Sequence, residues 1–400
     1  MFIEYKREQP KTIQGYDLVK DNQISISPSI WNELRERFDR TQLQPYLADL
    51  IRTYNLPFPH RVFHSEDVRR DWQKVLNIDT SVYNKGIWNA PKQERDFEYK
   101  YLGKEIYFPG ALYGTKVSDQ FAHHERHKCA SSHGNSPYEE WTTAADKKSN
   151  FLRVLFGLLD EQCRKKGVDN KSLASALRMH TYLASQFKPA VAKAFYDFFK
   201  AQDVLDFSSG WGDRLVGFHA SGARSYTGID PNSKMHPHYR SITKYCGTGK
   251  PVKLICSPAE DADLSDVSVD FVFTSPPYFN IEKYSQEGTQ SWKRYKTSDA
   301  WVDGFLKPTL DNVWSCLREG GRLAVNIADK KGVDICGPML DHMASKEEAT
   351  YEGVLGYKMM KRPDSKGKHD SDYIFCEPVF IWAKGDAPEP RWEPETFFEV

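Results

Sequence analysis

A chain of 400 residues, 40% hydrophobic and 28% charged, can bury sizeable cores in two or three domains and does not have the composition of a disordered polymer. Lys plus Arg equals Asp plus Glu at 55 each, so net charge gives no general attraction to a polyanion, and any nucleic-acid contact must come from a local basic face. The seven scattered Cys include no CxxC pair, which argues for reduced thiols; the opening MFIEYKREQPKT has no apolar leader region, and no run of about 18 apolar residues is present. Together these features lead to the expectation of a cytoplasmic or nucleoid-associated protein, nuclear in a eukaryote, with no membrane contact.

Residues 1–145 read as an accessory or substrate-recognition domain of mixed α+β and helical character. Ser29 ahead of Ile30, Trp31 and Leu34 signals a helix start, whereas LGKEIYFPGALYG at 102–114 suggests short strands broken by Gly and Pro. Arg69, Arg70 and Lys74 around Trp72 read first as a solvated helical face. HHERHKCASSH gathers His123, His124, His127, Cys129 and His133, but the spacing specifies no zinc site, and an exposed polar loop without metal is expected there. SSHGNSP, at 131–137, is a loop.

Residues 146–200 form a helical linker. Phe151, Leu152, Leu155, Leu158 and Leu159 have helical spacing within KSNFLRVLFGLLDEQCRKK; KSLASALRMHTYLASQ makes a second helix, and Pro189 opens a third through Phe199. Over 201–385, strands at 202–206, 224–230, 253–256, 268–275 and 322–329 alternate with helical patterns. GVLGYKMMK and YIFCEPVFIWAKG make a hairpin-like last pair around the polar loop RPDSKGKHDSD. This order predicts an α/β doubly wound, Rossmann-like sheet, followed by a proline-broken tail at 386–400.

At the end of the first of these strands, Asp206 leads into Ser208, Ser209, Gly210, Trp211 and Gly212. Glycines in a strand-turn-helix let backbone approach a ligand, although the same residues also serve a plain structural turn. Asp230 ends the next strand, where a carboxylate can accept from both hydroxyls of a ribose or simply face solvent before Pro231 and Asn232. The residue three after Gly212 is Leu215, so GxGxxG is incomplete, and a small nucleoside ligand suits the loop better than a pyrophosphate.

The region 186–385 resembles the class I S-adenosylmethionine methyltransferases. Ser275-Pro276-Pro277-Tyr278 is similar to the (Asp/Asn/Ser)-Pro-Pro-(Tyr/Phe) motif of enzymes that methylate exocyclic amines of nucleic-acid bases. The resemblance implies a methyltransferase sheet that binds S-adenosylmethionine through Phe187 and Pro189 of FKP, through Asp206, Ser208, Gly210 and Gly212 of LDFSSGWG, and through Asp230. Ala259-Glu260-Asp261 resembles the segment beside the adenine, with Asp261 as the contact. The DFSSG sequence departs from the family's Asp-Pro-Phe loop.

An amine on an aromatic base is a poor nucleophile because its lone pair is delocalised, so a catalyst has to accept hydrogen bonds from the NH2 and aim it at the methyl donor. Ser275 Oγ and the Pro276 carbonyl are candidate acceptors, Pro276 and Pro277 restrict the loop, Tyr278 is placed to stack on the base, and Phe279 completes an aromatic wall. In the following segment, 280–301, Lys283, Lys293, Arg294 and Lys296 interleave with Tyr284, Trp292 and Tyr295, as phosphate and stacking contacts would. The resulting expectation is DNA methylation at cytosine N4 or adenine N6 with the target base flipped out. RNA base methylation, and a noncatalytic nucleic-acid-binding subunit on the same scaffold, are the alternatives.

Overall fold

The computed structural model describes residues 12–13, 16–80, 101–106, 112–132, 134–143, 151–329, 332–358 and 376–388. The chain forms two compact units, and both are discontinuous in sequence: residues 1–63 with 124–184, and residues 64–123 with 185–400. The expected boundary near 145 therefore gives way to a different division. Residues 64–123 belong to the unit that contains the large sheet, and the expected 146–200 linker divides after Ala184. No composition shift marks any of the three crossings, because each unit has its own apolar core.

The smaller unit is mainly helical. Its core gathers Trp31, Leu34, Leu47, Leu50, Phe151, Leu155, Leu173 and Leu177, all nearly inaccessible. The first helix, Pro28–Arg37, begins two residues before the expected Ser29 signal: Ser27 is the cap, accepting from Ile30 N, and Pro28 takes the first turn, where its missing N–H costs nothing. The single helix expected over 148–166 is two, Leu152–Phe156 and Asp160–Lys166, because the chain leaves helical geometry at Gly157 (φ −117°, ψ −90°). Asp160 then accepts from Trp31 Nε1 and Arg35 Nε, tying the second piece to the first helix of the unit.

The larger unit is built on an eight-stranded sheet. In chain order its strands are β1 (Tyr101–Ile106), β2 (Asp203–Asp206), β3 (Ser225–Ile229), β4 (Val252–Ile255), β5 (Val269–Thr274), β6 (Leu317–Asn326), β7 (Ala349–Lys358) and β8 (Cys376–Lys384). Their spatial order is β1-β7-β8-β6-β5-β2-β3-β4. From β6 through β5, β2 and β3 to β4 every pairing is parallel, and β8 inserts antiparallel between β6 and β7. The fold is the expected doubly wound α/β sheet with its late hairpin. The polar loop of that hairpin and the end of the tail lie outside the described residues. β1, read as one of several isolated short strands, instead pairs parallel with β7 at the sheet edge, a long-range pairing that no local pattern announces.

Both faces of the sheet are covered, which explains why β5 reads as a nearly continuous apolar run. Phe271 stacks on Phe199 at 5.1 Å and Phe273 on Phe195 at 4.5 Å, facing the Pro189–Phe198 helix. Val272 belongs to the core formed with Trp301, Phe305, Leu310 and Val313. On the first face, the Asp213–Ala220 helix crosses Pro189–Phe198 at Gly217, where an added Cβ would lie 2.6 Å from both Ala192 Cβ and the Pro189 carbonyl oxygen. Neither neighbour is a flexible side-chain end, so there is no inexpensive way to make room. We expect Gly217→Ala to destabilise the fold by about 1–3 kcal/mol, read as a lower urea midpoint with an unchanged m value.

Candidate active site

Strand order reverses between β2 and β5: the chain runs from β2 outward through β3 and β4, then returns past β2 to β5. Such a switch point opens a crevice at the carboxyl ends of the strands, where ligands bind in open α/β sheets. The two loops singled out in the sequence leave these two strand ends. Residues 207–212 follow Asp206 at the end of β2, and residues 275–279 follow Thr274 at the end of β5.

Asp206 lies beneath this crevice with no exposed surface. Its carboxylate accepts from Arg214 Nε at 2.8 Å and Nη2 at 3.1 Å, from the Tyr226 hydroxyl at 2.8 Å, from Thr274 Oγ1 at 3.0 Å and from Ser208 N at 3.2 Å. Arg214 also donates to the Ser208 carbonyl and lies over the Phe187 ring at 5.2 Å. Burial disfavours the guanidinium charge, but the adjoining Asp206 outweighs it and holds Arg214 above its ordinary value. Asp206, expected to contact a cofactor, thus has its carboxylate engaged inside the protein, where it fixes the loop. Arg214 was missed from sequence. The signal available was an arginine in the first turn of the helix after the glycines, eight residues beyond the acid.

Gly210 (φ +55°) and Gly212 (φ +84°) both hold left-handed backbone. A Cβ on Gly210 would meet nothing nearer than the Ser208 carbonyl oxygen at 3.6 Å, so the loop presents open backbone there, whereas one on Gly212 would strike Ile242 Cδ1 at 2.6 Å. Ser208 is half-buried next to Gly210. Trp211 is buried and donates its indole N–H to the Ser185 carbonyl at 3.1 Å. Pro189 starts its helix packed between Gly114 and Gly217, a structural position, while Phe187 is half-buried with its edge to Phe273 at 5.6 Å.

Asp230 follows β3. One carboxylate oxygen accepts from Gly210 N at 2.8 Å and the other from Asn232 N at 2.9 Å, so the acid closes the glycine loop onto the next strand. Burial pushes its carboxyl up to about 6, against the pull of those two N–H groups and of His236. Two more acceptors near these strand ends are buried without a partner among the described residues: Asn232 Oδ1 and Glu260 Oε2. Burial also raises the Glu260 carboxyl. Asp261, expected beside the adenine, and its neighbour Glu260 differ in burial. The Asp261 side chain is 53% exposed and paired with Arg294, whereas that of Glu260 is 3% exposed and points inward.

In the second loop, Ser275 is half-buried and its Oγ makes no hydrogen bond among the described residues. Pro276 is buried and Pro277 half-buried. The Tyr278 hydroxyl donates to Glu377 Oε2 at 3.0 Å, an anchor at the start of β8 that holds the ring beside the loop. Phe279 departs from the expected aromatic wall. It has φ +55°, is 7% exposed, and packs into the core edge-on to Trp301 at 6.3 Å.

The segment after it is fastened at several points. Glu282 accepts from Ser185 N at 3.1 Å and from the Tyr284 hydroxyl, and the Tyr284 ring lies 5.5 Å from Trp211, against the glycine loop. Glu287 accepts from Ser233 N and Oγ. Arg294, expected to meet phosphate, is bound at 2.7 Å to Glu260 and 2.6 Å to Asp261, and Tyr295 donates to Glu260 at 3.1 Å. Lys293 Nζ donates to the Gln286 carbonyl at 2.7 Å beside Trp292.

The residues expected to form an exposed histidine loop mostly lie on the helix Thr115–His127; His123 is 5% exposed and hydrogen-bonds the Asp119 carbonyl through Nδ1, and His133 lies outside the described residues. Among the described residues no helix is long and apolar enough to cross a membrane.

No family model and no curated protein matches the chain. Among solved structures it aligns with TrmN from Thermus thermophilus at a TM-score of 0.33 and 16% identity, over 50% of this chain and 49% of that one, so it spans about half the length of that protein. An rRNA methylase from Streptococcus thermophilus aligns at 0.33 and 13% identity, over 51% and 100%. The N-methyltransferase NodS from Bradyrhizobium japonicum, in complex with S-adenosyl-L-homocysteine, aligns at 0.30 and 10%, over 46% and 79%. Likeness this distant leaves function to be argued from the site.

Because the folded state holds the Asp230 proton more tightly than the unfolded chain, this group favours folding at low pH. That contribution is lost as pH rises from about 3.8 through about 6. Across that window wild type should lose stability relative to Asp230→Asn by up to about 3 kcal/mol, measured by urea unfolding of both proteins at a series of pH values.

Proposed function

We propose that the chain is an S-adenosylmethionine-dependent methyltransferase acting on an exocyclic amine of a nucleic-acid base, cytosine N4 or adenine N6 of DNA. The observation that carries this reading is the meeting of two loops at one crevice. The glycine loop and the Ser275–Tyr278 loop leave neighbouring parallel strands, and the Thr274 to Asp206 hydrogen bond joins their bases at 3.0 Å. A nucleoside cofactor and a flat substrate would therefore meet at the ends of β2 and β5.

The residues fit the cofactor. An adenosine presents hydroxyl and amine donors, and this side of the crevice presents acceptors: the Asp230 carboxylate, Asn232 Oδ1 and Glu260 Oε2, the last two buried without a partner among the described residues. The open backbone at Gly210 leaves room for close approach. Asp230 would hold the ribose, and Glu260, rather than Asp261, is the better candidate for the adenine amine. When bound, S-adenosylmethionine supplies an electrophilic methyl group.

The chain's own residues would prepare the nucleophile. Ser275 Oγ and the Pro276 carbonyl accept the two N–H groups of the target amine, favouring the pyramidal nitrogen whose lone pair can attack. Pro276 and Pro277 restrict the loop that holds both acceptors. Tyr278, pinned through its hydroxyl to Glu377, offers its ring to a base that has left the stack. The surplus amine proton is released to water, and Ser275 need not act as a base.

Transfer of labelled methyl to DNA and RNA, followed by nucleoside analysis, tests the proposal and identifies both polymer and base. Ser275→Ala and Tyr278→Ala should each reduce transfer on the order of a hundredfold with little change in S-adenosylhomocysteine affinity. Asp230→Ala should weaken that affinity by about tenfold or more. Unimpaired transfer by all three variants, or cofactor and polymer binding without transfer to any base, would overturn the reading.

A further inference from the structure

The Ser291–Arg294 turn carries Trp292, whose indole is surrounded by cations. Lys283 Nζ lies 5.5 Å from the ring centroid, Lys293 Nζ 5.3 Å and Lys296 Nζ 5.5 Å. An indole has two faces, so at least two of these ammonium groups share one. None of the three has an ion-pair partner among the described residues; of the acids of the same segment, Glu282 is committed to Ser185 N and Tyr284 and Glu287 to Ser233, while Asp299 accepts only from the adjacent Ser298 hydroxyl and pairs with none of the three lysines. The fourth cation of the segment, Arg294, is neutralised by Glu260 and Asp261. Three uncompensated charges are thus concentrated at one aromatic side chain in a protein whose net charge is zero. Trp292 Nε1 is buried without an acceptor among the described residues, an unfavourable place for an indole N–H.

We propose that Lys283, Lys293 and Lys296 around Trp292 form a binding site for the phosphate backbone of a nucleic-acid strand; this rests on the base-methylation reading above. The ring attracts and orients the ammonium groups through its π face, and a phosphodiester supplies the missing negative charge. Lys283 is five residues beyond Tyr278, within about 18 Å even along a fully extended chain. A strand whose base lies against Tyr278 has phosphates on either side of that nucleotide, within the range of this cluster.

The test is the salt dependence of binding for short fluorescently labelled single-stranded DNA and RNA of one sequence, measured by anisotropy on the full chain. Lys283→Ala/Lys296→Ala should bind at least about tenfold more weakly at about 100 mM salt, with the slope of log K against log salt reduced by about 1.4, the loss of two single-strand contacts. Lys283→Arg/Lys296→Arg should keep both slope and affinity, and unchanged S-adenosylhomocysteine binding shows that each variant is folded. The steeper loss in the DNA or RNA arm identifies the polymer. An unchanged slope in the double Ala variant overturns the phosphate site. Methyl transfer to a base with an unchanged slope would remove this site and leave the function standing, whereas a reduced slope without transfer would do the reverse.

Discussion

The crevice depends on a buried carboxylate and the groups that satisfy it. Asp206 would be very costly at the centre of an apolar sheet if left alone. It is tolerable because Arg214, Tyr226, Thr274 and the Ser208 N–H all converge on it. Each partner comes from a different element: the helix after the glycines, β3, β5 and the loop itself. Satisfying one charge therefore fixes the relative positions of all the elements that frame the site. Removing a single partner would expose the others to the penalty of a charge left short of bonds, so the network constrains the loop as a unit.

Above that network, the 280–301 segment divides its polar groups between two tasks. Glu282, Glu287 and Arg294 bind it to the loops after β3 and β4 and to Ser185. Its lysines remain on the outside around Trp292. Position in the fold, rather than residue type, separates anchors from contacts: Arg294 and Lys296 are two residues apart and equally cationic, yet only one faces a pair of carboxylates.

Much of this was legible in the sequence, because a parallel sheet buried on both faces writes itself as apolar runs, and the switch point follows from strand order. Gly210, Gly212, Asp230 and Ser275 through Tyr278 were legible for the same reason: each is next to a strand end, where periodicity breaks. What escaped depends on distant neighbours. The inward Glu260 and outward Asp261 are adjacent acids that share Arg294, and only the surrounding fold, which buries one and brings the Tyr295 hydroxyl to it, distinguishes them. Arg214 resembles any helical arginine until Asp206 is placed beneath it. β1 joins the sheet more than two hundred residues before its partner β7, and the chain passes between the units three times without a linker, so neither leaves a local trace.

Phe279 illustrates how narrowly the loop after β5 is specified. Its left-handed backbone sends the chain back toward the core directly after Tyr278, and its ring fills space beside Trp301. Glycine would adopt that backbone freely but leave a hole; any other apolar residue large enough to fill the hole meets the same steric objection to φ +55°. Sequence drift is thus blocked from both directions at this position. Variation in the loop has to be absorbed by its neighbours.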